Sequence, residues 1–405
     1  MKRMRQMNHN GSVRIVLFAA VLLSAALFLS GCSGTPSTAG GDLPANLAAS
    51  QNTAAAAGTD QTGTSAAVQN TTVNTTDMNA ADNMTENTTA EPVIPAGSTI
   101  SPLDGSIVTE ETAMLRPFAV MINNIKAATP QQCGTSEAKI VYEILAEGGI
   151  TRLMCIFEGD TDVARLGSCR SARHYFVSIA SEYDAIYCHY GHTKYATAKI
   201  AELGVNNLSG LSSYEKTVYY RDHHYRAPHN VFTSGDMIRA GIKRLKYSST
   251  LSAPITNHFD FNAVDTDLEE GGQANKIVLG FSTYTSPYFK YDAKNKVYKR
   301  WQYGAKHLDA NTGKQLRFKN IIIQLVKEWN IDHNGYQTMD IENSAGDGYY
   351  ITNGTYVPIT WEKNEGAGTM TYYSETGEKL SINPGKTYIA VYPKDRTDKL
   401  KITAE

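Results

Sequence analysis

Neither sign of charge is in excess: 38 Lys and Arg against 40 Asp and Glu leave the 405-residue chain at −2. That excludes a protein held to nucleic acid by its overall field. A membrane-spanning helix is missing as well. A span needs roughly 20 apolar residues, and the uncharged run over residues 15–29 (IVLFAAVLLSAALFL) falls short of that. Cysteine is scarce, five in all, and no pair has the CxxC spacing of a zinc-cysteine site. HExxH is absent too, so neither a metal nor a cofactor is expected.

What is there begins with a leader. Lys2, Arg3, Arg5 and Arg14 precede the apolar run, which exits through Leu29-Ser30-Gly31-Cys32. A charged start, a short apolar stretch and a small-residue exit read as a secretory signal over residues 1–31. The exit resembles the bacterial lipobox, which makes Cys32 the acylated first residue of the mature chain, bound to membrane lipid and facing the extracytoplasmic side. Two or three acyl chains suffice for stable anchoring where one does not. Residues 32–98 are mostly Ala, Thr, Asn, Gly and Ser. Such a stretch cannot bury enough apolar surface to offset the entropy of ordering it, so it reads as a disordered tether.

The remaining length is that of one large or two smaller domains, and the pattern predicts an α+β protein. Residues 99–255 read as a mixed α/β domain. Strands are expected at 117–124, 139–145, 150–157 and 185–189, with a hairpin at Glu147-Gly148-Gly149. Helices are expected at 168–183, 195–203 (stopped by Gly204) and 234–246. Residues 272–405 read as a mostly antiparallel β domain, with short Tyr-, Ile- and Val-rich runs punctuated by turns such as Asn353-Gly354 and Asn383-Pro384-Gly385. Cys133, Cys155, Cys169 and Cys188 can pair outside the cytoplasm, yet Cys155 and Cys188 sit in apolar runs where cysteine packs as a small hydrophobe. Both readings stand.

The chemistry concentrates in the first domain. Gly167-Ser168-Cys169-Arg170-Ser171-Ala172-Arg173-His174 reads as a loop entering a helix, where free N–H groups and two arginines three apart make an anion site. A helix cap and solvated arginines need the same residues. Arg152, Arg221, Arg226, His229 and Asn230 join Arg170, Ser171 and Arg173 as candidate ligand-binding residues. Reaction chemistry on that ligand would need a base, for which His189, His229 and Glu143 are the candidates. Cys169 beside a histidine would be a further nucleophile, but nothing in the sequence brings the two together.

The chain resembles the YerB-type bacterial lipoproteins, a two-domain family of unknown function. The matching stretches are RPFAVMIN at 116–123, EAKIVYEILAEGGITR at 137–152, Arg170-Ser171-Ala172-Arg173, Arg226-Ala227-Pro228-His229-Asn230, YYITN at 349–353 and Asn383-Pro384-Gly385-Lys386-Thr387. Gly167-Ser168-Cys169 departs from the family's usual Gly-Pro-Val, which argues against Cys169 as a shared nucleophile. The resemblance implies an envelope location and two domains, and it implies no reaction. Three functions follow. The first is binding of an anionic ligand, such as a phosphorylated glycan or lipid-linked wall precursor. The second is phosphoryl or glycosyl transfer or hydrolysis at the same site. The third is a scaffold for a protein partner. Nucleic acid is not an expected partner.

Overall fold

The structure, a computed structural model, describes residues 93–364 and 368–405. The leader, Cys32 and the tether up to residue 92 lie outside the described residues. All the described residues fall within one compact unit. Its centre is three strands in which every residue is buried: β1 (Phe118–Asn123), β2 (Ile140–Leu145) and β3 (Thr151–Phe157). Strands this apolar on both faces must be covered on both. The β2–β3 hairpin turns through Glu147–Gly149, with Gly148 and Gly149 at φ +68° and +72°, a conformation that costs glycine little. Beyond β1 lie β4 (Ile186–His189) and β5 (Asn207–Ser209), each parallel to its neighbour.

The second half supplies β6 (Lys276–Leu279), β7 (Tyr288–Asp292), β8 (Val297–Gln302), β9 (Asn320–Val326), β10 (Ser344–Thr352), β11 (Thr355–Lys363), β12 (Thr387–Pro393) and β13 (Leu400–Thr403). Four of these extend the first half's sheet, which runs β11-β10-β9-β12-β2-β3-β1-β4-β5 with a short strand at one end and another beside β11. The joint is β12, which lies parallel to β9 on one side and to β2 on the other. Segments 99–255 and 272–405 therefore meet edge to edge in one continuous sheet. Parallel pairing on both sides of β12 is a departure from the antiparallel pattern expected of the second half. A second, antiparallel sheet contains β8-β7-β6-β13. It packs on the first through Phe289 and Phe318, whose rings lie 4.7 and 5.4 Å from that of Tyr388.

Three helices longer than one turn are described. α1 is His174–Glu182, α2 is Lys194–Leu203 and α3 is Gly235–Leu245. Thr193 and Ser234 cap α2 and α3 by accepting the Ala196 and Met237 N–H groups, and Gly204 ends α2 in the left-handed conformation. The helix expected from Ser168 starts only at His174. Among the described residues no helix is long and apolar enough to cross a membrane. The four described cysteines are free and buried.

Candidate functional site

The carboxyl ends of β1, β2 and β4 and the start of β3 lie at one end of the sheet: Leu145 pairs with Thr151, and Asn123 with Arg152. Ligands of open α/β sheets bind at such an end, where neighbouring strands part. Here β1 and β4 separate after Val120 and Cys188, and the segment leading to α1 threads between them. On one side the Asn123 N–H donates to Ser168 O and the Arg170 N–H to Met121 O, at 2.8 and 3.0 Å. On the other side the Tyr190 N–H donates to Arg170 O and the Ala172 N–H to Gly191 O, both at 2.9 Å. This corrects the sequence reading. Residues 168–172 are not helical, and the amides of Cys169, Arg170 and Ala172 are donated to the carbonyls of Val231, Met121 and Gly191, so the segment is not a helix N-terminus, and Arg170 and Arg173 do not share a helix face.

What the fork does instead is gather guanidinium groups. Arg152 leaves the first turn of β3 almost fully buried. Its Nη1 donates to Ser171 O at 3.0 Å, its Nε has no partner, and it makes no ion pair among the described residues. Burial first, and then the charges of Arg173 and Arg170, pull its pKa down to about 9. Arg170 makes no side-chain hydrogen bond or ion pair among the described residues, and burial and Arg173 lower its pKa too. Arg173 is the one with a counterion: Nε and Nη2 grip the two Glu147 oxygens at 2.6 and 2.5 Å. Burial opposes both charges, but the pair holds Glu147 below and Arg173 above their ordinary values. Three positive groups therefore share one carboxylate. Glu147, which in sequence reads as a carboxylate paired with Glu143 or as a water-facing hairpin residue, is instead the counterion of Arg173. Its signal is its place on a glycine turn immediately before Arg152.

His229 completes the edge of the fork. It is half-buried, its Nδ1 is 2.9 Å from the Asn123 amide nitrogen, and desolvation followed by the charge of Arg170 lowers its pKa below the ordinary imidazole value. The other candidates lie elsewhere. Arg221 donates to Asn230 Oδ1 and to Tyr190 Oη, both at 2.9 Å, and lies over the Tyr190 ring. Arg226 is exposed and lines a surface cavity of about 500 Å³ together with His224, Pro228 and His229, so it borders the fork through His229 without an ion pair of its own among the described residues. His189 is buried, with Nδ1 2.8 Å from Gly191 O and Nε2 3.1 Å from Asn207 Oδ1, a core histidine with both nitrogens engaged.

Glu143 has no exposure at all. Its Oε1 accepts from Thr151 and Asn124 at 2.6 and 3.0 Å, and its Oε2 from Arg300 and Tyr388 at 2.5 and 2.6 Å. It belongs to the polar joint between the two sheets and reaches no surface. Desolvation raises all four buried thiols, Cys133 to about 12 and Cys155, Cys169 and Cys188 well above the ordinary thiol value, which keeps them protonated. Among the described residues no three His, Cys, Asp or Glu side chains are grouped to hold a metal ion.

A protein that stitches both halves of its chain into one sheet and gathers arginines where two parallel strands part is the class these features define. Residues 103–248 match the family described as the N-terminal domain of a protein of unknown function (DUF3048), and residues 277–389 match its C-terminal domain. The chain belongs to this family. It is similar to YerB of Bacillus subtilis (strain 168), whose name calls it a lipoprotein, with 30% identity over 294 residues, 72% of this chain and 86% of YerB. The crystal structure of the Bacillus subtilis YerB protein superposes with a TM-score of 0.66 at 29% identity, covering 75% of this chain and 99% of that one.

Proposed function

We propose that the protein is a lipid-anchored extracytoplasmic lipoprotein whose folded part holds a phosphorylated envelope ligand in the fork of Arg152, Arg170 and Arg173. The anchoring half rests on the leader, the Cys32 exit and the name of its relative. The binding half rests on one observation above the others, the buried Arg152 with an unpartnered Nε and two more guanidinium groups beside it. A buried cation without a counterion is costly, and an arriving phosphate removes that cost while accepting paired N–H donors. A phosphorylated glycan or a lipid-linked precursor would carry such a group. His229 favours a second reading, catalysis at the same place, because it stands half-buried at the edge of the fork with Nδ1 2.9 Å from the Asn123 amide nitrogen, where an imidazole can move a proton. In that case His229→Ala removes turnover and leaves binding intact.

The test is calorimetric titration of the full chain in detergent with pyrophosphate and glycerol phosphate. Wild type should bind, and Arg170→Ala/Arg173→Ala should bind at least about tenfold more weakly for the loss of charged hydrogen bonds. Equal affinity in the two, or no heat from either, would sink the reading. Cys32→Ala should move the protein from the membrane fraction to the soluble one.

A further inference from the structure

A second cavity, of about 380 Å³, lies where the start of α1 meets α2 and the two short strands Glu328–Asn330 and Gln337–Met339. Its chemistry is unlike that of the arginine fork. Trp329 presents 44% of its surface to solvent and Ile331 37%, on the rim of the cavity. Tyr195 and His174 form the opposite wall with ring centroids 6.1 Å apart. His174 Nε2 lies 2.7 Å from Thr338 Oγ1, which ties α1 to the strand Gln337–Met339. Between these walls Lys199 bridges Glu202 and Glu342, each at 2.9 Å, and Asp340 adds another carboxylate.

We propose that this cavity is a saccharide-binding site for a neutral pyranose unit. The occupant is fixed by three requirements. Three carboxylates, Glu202, Glu342 and Asp340, face two ammonium groups, Lys199 in the lining and Lys327 5.6 Å over the Trp329 ring, so the site has no positive excess to hold a phosphate and the ligand is not charged like the one proposed for the fork. An exposed indole needs a flat apolar partner, and the C–H face of a pyranose ring supplies one. An ionised carboxylate has about four acceptor positions, and Glu202 and Glu342 each spend one on Lys199. Ser178 takes a further position on Glu342, and the positions left, chiefly on the exposed Glu202, are open to hydroxyl donors at the ring's edge. One apolar face rimmed by hydroxyls is the chemistry of a sugar, and Lys199 holds the two carboxylates in place to receive it. The proposal does not rest on the arginine fork.

The test is calorimetry of the full chain, in a zwitterionic detergent that carries no sugar headgroup, against cellotetraose, chitotetraose and maltotetraose. At least one should bind. Trp329→Ala should weaken it about tenfold or more, whereas Trp329→Phe, which keeps an aromatic face, should retain most of the affinity. Because Trp329 is exposed, neither change should disturb the melting temperature. No heat from any of the three sugars, or equal affinity in wild type and Trp329→Ala, overturns the proposal. Arg170→Ala should bind the sugars as wild type does. Lost phosphate binding with retained sugar binding, or the reverse, therefore tells the two sites apart.

Discussion

Single residues carry the joint between the two halves of the chain. Glu143 and Arg300 are 157 positions apart, both buried, and 2.5 Å from each other. Removing one partner of such a pair leaves an uncompensated charge in the core and costs about 3–5 kcal/mol, whereas replacing both with apolar groups is often close to neutral. Urea unfolding should therefore show Glu143→Ala strongly destabilised and Glu143→Leu/Arg300→Met much less so than the sum of the single changes, a coupling that a double-mutant cycle reads directly. Additive losses would mean the two do not compensate each other. His258 gives a second residue-scale prediction. It is fully buried against the Tyr183 ring at 4.5 Å, neither ring nitrogen has a hydrogen-bond partner although Nε2 lies 3.6 Å from Glu182 Oε2, and burial followed by Lys363 and Lys379 lowers its pKa from 6.5 to about 3. The nearby Glu182 carboxylate is already paired with Lys363 at 2.5 Å. Between those two pKa values the unfolded chain binds a proton that the folded one refuses. Stability is thus complete above pH 6.5 and falls as the pH drops toward 3, by up to about 1.4 kcal/mol per pH unit. Thermal unfolding between pH 7.5 and 5 should show a shallower decline in His258→Phe than in wild type. Identical slopes would exclude His258 as the source.

At the scale of elements, the parts legible in the sequence were those whose signal is local. The apolar runs of β1, β2 and β3, the glycine turn between the last two, and the capped helices α2 and α3 stand where pattern and punctuation put them. The start of α1 was misread because residues 168–173 also have helical spacing of apolar and basic side chains. What holds them extended is hydrogen bonding to Met121, Gly191 and Tyr190, partners that no local pattern announces. The same limit hid β12. Nothing around residues 387–393 reveals that β2, 247 positions earlier in the chain, lies beside it. That pairing yields its own prediction. A fragment of residues 93–255 leaves β2 as an open apolar edge and Glu143 without Arg300 or Tyr388. It should show no cooperative thermal transition by near-ultraviolet circular dichroism, and co-expression with residues 256–405 should restore one. A fragment that melts cooperatively alone would show that β12 is dispensable to the first half.

For the whole molecule, the candidate site was legible as residue types and not as an arrangement. The Arg170 and Arg173 pair and the single Arg152 were visible as basic residues, and the fold brings them together. Arg221 and Arg226 looked equivalent in sequence but stand apart, the first engaged by Asn230 and Tyr190. Glu143 looked like a catalytic carboxylate because burial cannot be read from a strand without knowing what covers it. The resulting picture is a folded unit with two chemically opposite features, a cluster of arginines at the fork and an acidic aromatic cavity, beyond a sequence whose start reads as a lipid anchor. The fork is its central claim, and Arg152→Met tests it most directly, since methionine fills much of the same buried volume without the charge. The measurement is thermal unfolding of wild type and Arg152→Met, each with and without pyrophosphate. A ligand bound only by the native state at a hundred times its dissociation constant adds about 2.7 kcal/mol to stability. The account predicts that pyrophosphate raises the wild-type melting temperature and leaves that of Arg152→Met unmoved. An equal rise in both proteins, or none in the wild type, would contradict it.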